Sequence, residues 1–208
     1  MNVLTYDIEI KKSILMGGET RQPGIEYCGG WNDKAGMGIS YLGAHNSADN
    51  TKHYFTEDRL LDFIEMIKHA DLVTGYNIHG FDTPLLKATL NRLGHSEETG
   101  MKGKCYDVFW DIKKSLGNMY PKGWTLDNVV KSTLGIEKNG SGAMAPILYQ
   151  QGKLNELRDY LSQDLECESR LYEHVACYGW VSNEAAGCHR LNLQGISKFT
   201  GIDYHDQT

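Results

Sequence analysis

Apolar and polar positions alternate along residues 2–10 (NVLTYDIEI), a run rich in β-formers that predicts a first strand. Residues 11–24 carry Lys11, Lys12, Gly17, Gly18 and Pro23 and break the pattern as a loop. Two more strands are predicted over 25–31 and 37–43, joined by a turn at Asn32-Asp33-Lys34, with a fourth over 52–55. Leu60, Leu61, Ile64 and Ile67 then recur at helical spacing, predicting a helix over 57–69 with Thr56 as its cap. A short apolar strand follows at 71–76. The next helix runs from Asp82 to Leu93, with Pro84 tolerated in its first turn and Gly94 ending it.

The second half is more helical. It reads as a strand at 104–107, helices at 108–116 and 125–134, a Gly-rich loop at 137–145 and a long amphipathic helix at 153–175. The tail, 176–208, carries a strand near 189–193 and a helical turn after it. Early strands followed by alternating strands and helices predict an α/β fold, a mixed sheet of about five to six strands flanked by helices. No repeat or linker divides the chain, so one domain is expected over residues 1–208.

Composition narrows the function classes. The 208 residues carry 21 Lys plus Arg against 27 Asp plus Glu, a net charge of −6, which argues against a non-specific duplex-coating protein. No apolar run reaches the roughly 20 residues of a membrane span, and Asp7 and Glu9 are foreign to a signal peptide. A cytoplasmic protein is expected. Five cysteines without a CxxC pair read as reduced thiols and argue against structural zinc.

Three carboxylate-bearing segments carry the chemistry. Asp7 and Glu9 stand two apart on the first strand, so both point to one face, with Cα atoms about 6–7 Å apart. On the core strand of a small domain such a pair is costly unless something compensates it. Either a divalent cation does so, or the sheet has one wet face. The segment GYNIHGFD (75–82) follows a strand and places Asp82 where a helix begins, as metal ligand or as simple cap. Tyr160 and Asp164 lie four apart on the long helix, one turn or about 6 Å along one face. Glu168 continues that stripe, which isolated would read as a solvated face.

Taken in order, TYDIE, GYNIHGFD and YLSQD resemble the three motifs of the DEDD superfamily, the DnaQ-like 3′–5′ exonucleases. Tyrosine four residues before the last aspartate resembles the DEDDy subgroup, which includes RNase D and the proofreading domains of family A and B DNA polymerases. The other subgroup has histidine five residues before that aspartate, where this chain has Asp159. The spacing of ADLVTGYN, CYDVFWDI and WTLDNVVKSTLG extends the likeness to the RNase H-like, family B exonuclease branch. It covers residues 3–178, leaving 179–208 as an extension of unassigned role.

The resemblance implies two divalent cations, Mg²⁺ or Mn²⁺, about 3.5–4 Å apart. Carried over, Asp7 would bridge them, Glu9 and Asp164 would complete the first site, Asp82 would hold the second, and Tyr160 would orient the attacking water. It implies hydrolysis at 3′ ends of single-stranded nucleic acid, DNA ahead of RNA, acting in trans with a replication or repair protein. Asn77 and Phe81 in the second motif and Lys138 in the Gly-rich loop are candidates for contacting substrate. Turn-forming, core packing and solvation are the plainer alternatives for these three. Seven lysines between 101 and 140 give a local excess of +3 over Asp107, Asp111, Asp127 and Glu137, a candidate phosphate track. Asp107, after a strand, is a candidate supporting residue. Trimming of RNA 3′ ends and an inactive nucleic-acid-binding module are the competing functions.

Overall fold

The computed structural model describes residues 1–117, 122–137, 142–193 and 195–196. Strand β1 (Val3–Ile10) lies at the middle of a five-stranded sheet. On one side β2 (Ile39–Asn46) and β3 (Thr51–Phe55) add antiparallel. On the other, β4 (Leu72–Gly75) and β5 (Cys105–Asp107) add parallel, giving the order β3-β2-β1-β4-β5. Helices α1 (Lys34–Met37), α2 (Leu60–Lys68), α3 (Asp82–Arg92), α4 (Val108–Ser115), α5 (Leu126–Leu134), α6 (Ala145–Gln150) and α7 (Leu154–Tyr178) surround the sheet. A hairpin of β6 (Trp180–Asn183) and β7 (Gly187–Arg190) follows α7. This is the mixed α/β sheet flanked by helices that the pattern predicts.

The period-2 alternation of β1 divides the protein into two cores. Leu4, Tyr6, Ile8 and Ile10 pack with Phe63 and Ile67 of α2 and Leu85, Leu86 and Leu90 of α3. Val3, on the opposite face, joins Cys167, Leu171 and Val175 of α7. Asp7 and Glu9 share the Val3 face and therefore look toward α7. That face is not wet: Glu9 is buried and Asp7 half-buried.

Two close approaches set the geometry. Gly43 of β2 pairs with Asp7. A Cβ there would stand 2.7 Å from Leu165 and 2.9 Å from Leu161, so α7 settles onto the sheet where a side chain is missing. At the end of β4 a Cβ on Gly75 would meet the Tyr6 carbonyl oxygen at 2.8 Å.

Several expectations are corrected. Residues 25–31 form no strand, only a bridge between Ser13 and Tyr27. The glycines at 29 and 30 and the Asp33 cap turn the chain into α1 instead. Thr56 does not cap with its side chain; its hydroxyl donates to Asp58, and residues Glu57–Arg59 form a 3-10 turn before α2. The segment after the Gly-rich loop is the helix α6, started by Pro146 in its first turn. The tail supplies a hairpin rather than a single strand, and Val181, Leu191, Leu193 and Ile196 are buried in the second core. Buried Asp111 secures it, accepting from the Asn192 and Leu193 amides and the Tyr106 hydroxyl.

Candidate active site

Strand β1 delivers Asp7 and Glu9, and α7 delivers Asp164 and Tyr160 from above. One carboxylate oxygen from each of Asp7, Glu9 and Asp164 lies within 4.8 Å of the other two. Three hard oxygen donors at this separation suit a divalent cation such as Mg²⁺ or Mn²⁺ and suit a soft metal poorly. Asp164 and Glu9 are buried, so their charges are taken out of water together. The Tyr160 hydroxyl bonds to Asp164; burial and then the charges of Asp164, Glu9 and Asp7 push its ionisation far above the ordinary phenol range. It therefore remains a hydrogen-bond donor.

Asp82 sits outside the three-carboxylate group, at the first residue of α3, and is buried. Its Oδ1 accepts from the Ile8 amide at 3.0 Å, between Asp7 and Glu9 in sequence. The Tyr6 hydroxyl is 2.7 Å from Thr83 Oγ1, a second tie between β1 and the start of α3. Burial, then the nearby Asp7 and Asp107 charges, hold the Asp82 carboxyl well above the usual carboxylate range. A bound cation would offset this repulsion.

The second-motif loop is shaped by Asp107. Its carboxylate accepts from the amides of Asn77 (2.9 Å), His79 (2.8 Å) and Trp110 (3.2 Å), capping α4 while clasping residues 77–79. Burial raises its ionisation and those amides act against the rise. Asn77 takes a positive φ of 62°, with its side-chain oxygen in the space a Cβ on Gly80 would need. Glu168, the next turn of α7, is buried and accepts from the Tyr76 amide.

The site borders a cavity of about 540 Å³, within the range that holds a ligand. Asp7, Glu9, Asp82, Tyr160 and Asp164 line it together, as do Asn77 and Phe81. Lys138 lies outside the described residues; further along the same loop, a Cβ on Gly142 would stand 3.7 Å from the Tyr160 hydroxyl. Lys104 is turned to the Ile67 and Ala70 carbonyls, Lys131 pairs with Glu137, and Lys113 lies over Trp110. Sequence reasoning missed the aromatic wall of the cavity, made by Trp31, Tyr76, Phe109 and Trp124. They come from four separated segments, and no local pattern joins them.

Among the described residues no helix is long and apolar enough to cross a membrane. No curated protein matches the chain. The fold is similar to that of the family B DNA polymerase from the hyperthermophilic archaeon Pyrobaculum calidifontis, with a TM-score of 0.62 and 20% identity. That match covers 84% of this chain but 24% of the polymerase, so the chain spans about a quarter of its length. Residues 30–178 match the RNase_H superfamily model. With that stretch, more than half of its length, matched, the chain belongs to the RNase_H superfamily.

Proposed function

We propose that this protein is a metal-dependent 3′–5′ exonuclease of the DEDDy type, acting on single-stranded ends, DNA ahead of RNA. The observation that carries the reading is the meeting of Asp7, Glu9 and Asp164 within 4.8 Å at a cavity that Asp82 and Tyr160 also line. Membership of the RNase_H superfamily and the order of the three motifs support it; the likeness to the family B polymerase is one of fold.

In this reading Asp7, Glu9 and Asp164 would hold one divalent cation, and Asp82 would help hold a second. When bound, the cations neutralise charge on the attacking and leaving oxygens and make water a stronger nucleophile at neutral pH. The protein's own groups do the rest. Tyr160, kept protonated with its O–H on Asp164, would accept a hydrogen bond from the attacking water through its phenolic oxygen and so orient it. Water adds to phosphorus as the P–O3′ bond to the preceding sugar breaks, leaving a 3′-hydroxyl on the shortened strand and releasing a nucleoside 5′-monophosphate. The apolar faces of Tyr76, Phe109 and Trp124 in the cavity wall strengthen the electrostatic contacts beside them.

The test is hydrolysis of labelled single-stranded oligonucleotides with Mn²⁺, Mg²⁺ or EDTA. Nucleotide release with either metal, abolished by EDTA and by Asp7→Ala and cut about 100-fold by Tyr160→Phe, is the expected result. A folded wild-type protein that releases no nucleotide from DNA or RNA in either metal contradicts the reading.

A further inference from the structure

Trp31 is 54% exposed although it borders the same cavity as the carboxylates. An indole left in water forgoes the burial of a large apolar surface. The turn that carries it is nonetheless built. Asp33 accepts from the Gly29 amide through Oδ2 at 2.7 Å and from the Gly36 amide through Oδ1 at 3.0 Å. A Cβ on Gly36 would fall 2.1 Å from Asp33 Oδ2, so this clip forms only with glycine at that position. Cys28 before the turn and Met37 after it are anchored in the core. The fold therefore holds a large apolar ring more than half in water beside the cavity.

What surrounds the ring specifies a ligand. Phe81 meets it edge-on, with centroids 5.9 Å apart and planes at 72°. Lys34 Nζ stands 4.2 Å from the Phe81 centroid and 5.9 Å from the Trp31 centroid. Lys34 forms no ion pair among the described residues. Phe81 adjoins Asp82, so a flat apolar surface and a cation lie together at the edge of the acidic site. A flat π-system joined to a phosphate is the chemistry of a nucleotide, and stacking on an indole accepts any base.

We propose that Trp31 and Lys34 form the seat for the 3′-terminal nucleotide of an unpaired strand, the base stacking on the Trp31 indole and a backbone phosphate facing the Lys34 ammonium. This rests on the nuclease reading and narrows it to ends whose last base is free to leave a duplex stack. A preorganised seat lowers the ordering cost of binding a flexible end.

The experiment compares wild type, Trp31→Ala, Trp31→Phe and Lys34→Gln on two 5′-labelled oligonucleotides. One ends in an ordinary nucleotide and the other in an abasic residue. Hydrolysis in Mn²⁺ is followed, and binding is measured separately by fluorescence anisotropy in EDTA. Trp31→Ala is expected to raise KM and Kd about 10-fold or more on the ordinary end, with kcat changed far less. Trp31→Phe should restore most of the loss. On the abasic end wild type and Trp31→Ala should be equal. Lys34→Gln should weaken both ends alike and flatten the salt dependence. Equal KM and Kd for wild type and Trp31→Ala, or an equal loss on both ends, overturns the seat while leaving the nuclease intact. Binding with the Trp31 pattern but no hydrolysis keeps the seat and sinks the nuclease. Neither binding nor hydrolysis by wild type overturns both.

Discussion

Gly43 lies directly beneath Leu165: a Cβ on the glycine would sit 2.7 Å from the leucine Cδ1, closer than such atoms come in folded proteins. Because Gly43 is the strand partner of Asp7, this contact sets the height of α7 above the carboxylates of β1. Gly43→Ala should lift or tilt α7, at an overpacking cost of about 1–3 kcal/mol. It should also separate Asp164 from Asp7 and Glu9. The expected outcome is a lower Tm together with a weaker response of Tm to Mn²⁺, measured by thermal melting. A normal Mn²⁺ response would mean that the helix adjusts without moving Asp164.

The Asp107 clasp makes a different prediction. Replacing it with alanine takes the acceptor from the part-buried amides of Asn77, His79 and Trp110, each at less than the about 1–3 kcal/mol that a fully buried unsatisfied group costs. Asp107→Asn keeps one oxygen and should retain most of the stability. Both variants should slow hydrolysis by loosening the loop that leads into Asp82. Melting curves and kcat for the pair separate stability from positioning.

Asp7 faces three other acidic groups: Glu9 and Asp164 within 4.8 Å, and the charge of Asp82. In EDTA, Asp7→Asn should therefore raise Tm by removing repulsion, as happens at sites where function opposes stability. For wild type, Mn²⁺ at a hundred times its dissociation constant adds about 2.7 kcal/mol. For a chain of this size that corresponds to a Tm rise of about 5–10 °C. Asp7→Asn should lose most of that rise. Parallel Tm shifts in the two proteins would place the metal elsewhere.

Part of the acid stability rests on Glu57, away from the Asp7, Glu9 and Asp164 cluster. Burial acts to raise its ionisation, but Lys11, the Ile39 amide and Arg92 outweigh it and hold the carboxyl below its usual 4.5. A carboxyl lowered in the folded state contributes stability that is complete above pH 4.5 and is lost as pH falls through the lowered value. Glu57→Gln should cost up to about 1 kcal/mol at neutral pH and nothing at the acid end of that window. The difference in denaturation midpoint between the two proteins, followed downward from pH 6, tests the sign.

Much of this arrangement is legible in the chain. The alternation of Leu4, Tyr6, Ile8 and Ile10 with Asp7 and Glu9 marks a strand with an acidic patch on one face. The leucines of α7 place Tyr160 and Asp164 on a common face. What the alternation left open was whether that face met water, because this depends on Gly43, whose importance is that it presents nothing to the helix above. The segment 25–31 reads as a strand from Ile25, Tyr27 and Trp31, yet the glycines at 29 and 30 and the side-chain clip of Asp33 direct it into a turn. The short helix α6 lacks the length over which periodicity can be recognised. The aromatic wall is assembled from distant segments by the cores, so its members look like ordinary core residues until the fold brings them together.

In the proposed reaction nucleotides leave from the 3′ end. One single-stranded oligonucleotide, labelled in separate samples at its 5′ or its 3′ terminus, tests it most directly with Mn²⁺ present. The 5′-labelled strand should shorten as a ladder while the 3′-labelled strand loses its label as mononucleotide in the first turnover, and Asp7→Ala should do neither. Mononucleotide released first from the 5′ label, or internal fragments before any ladder forms, would contradict the account.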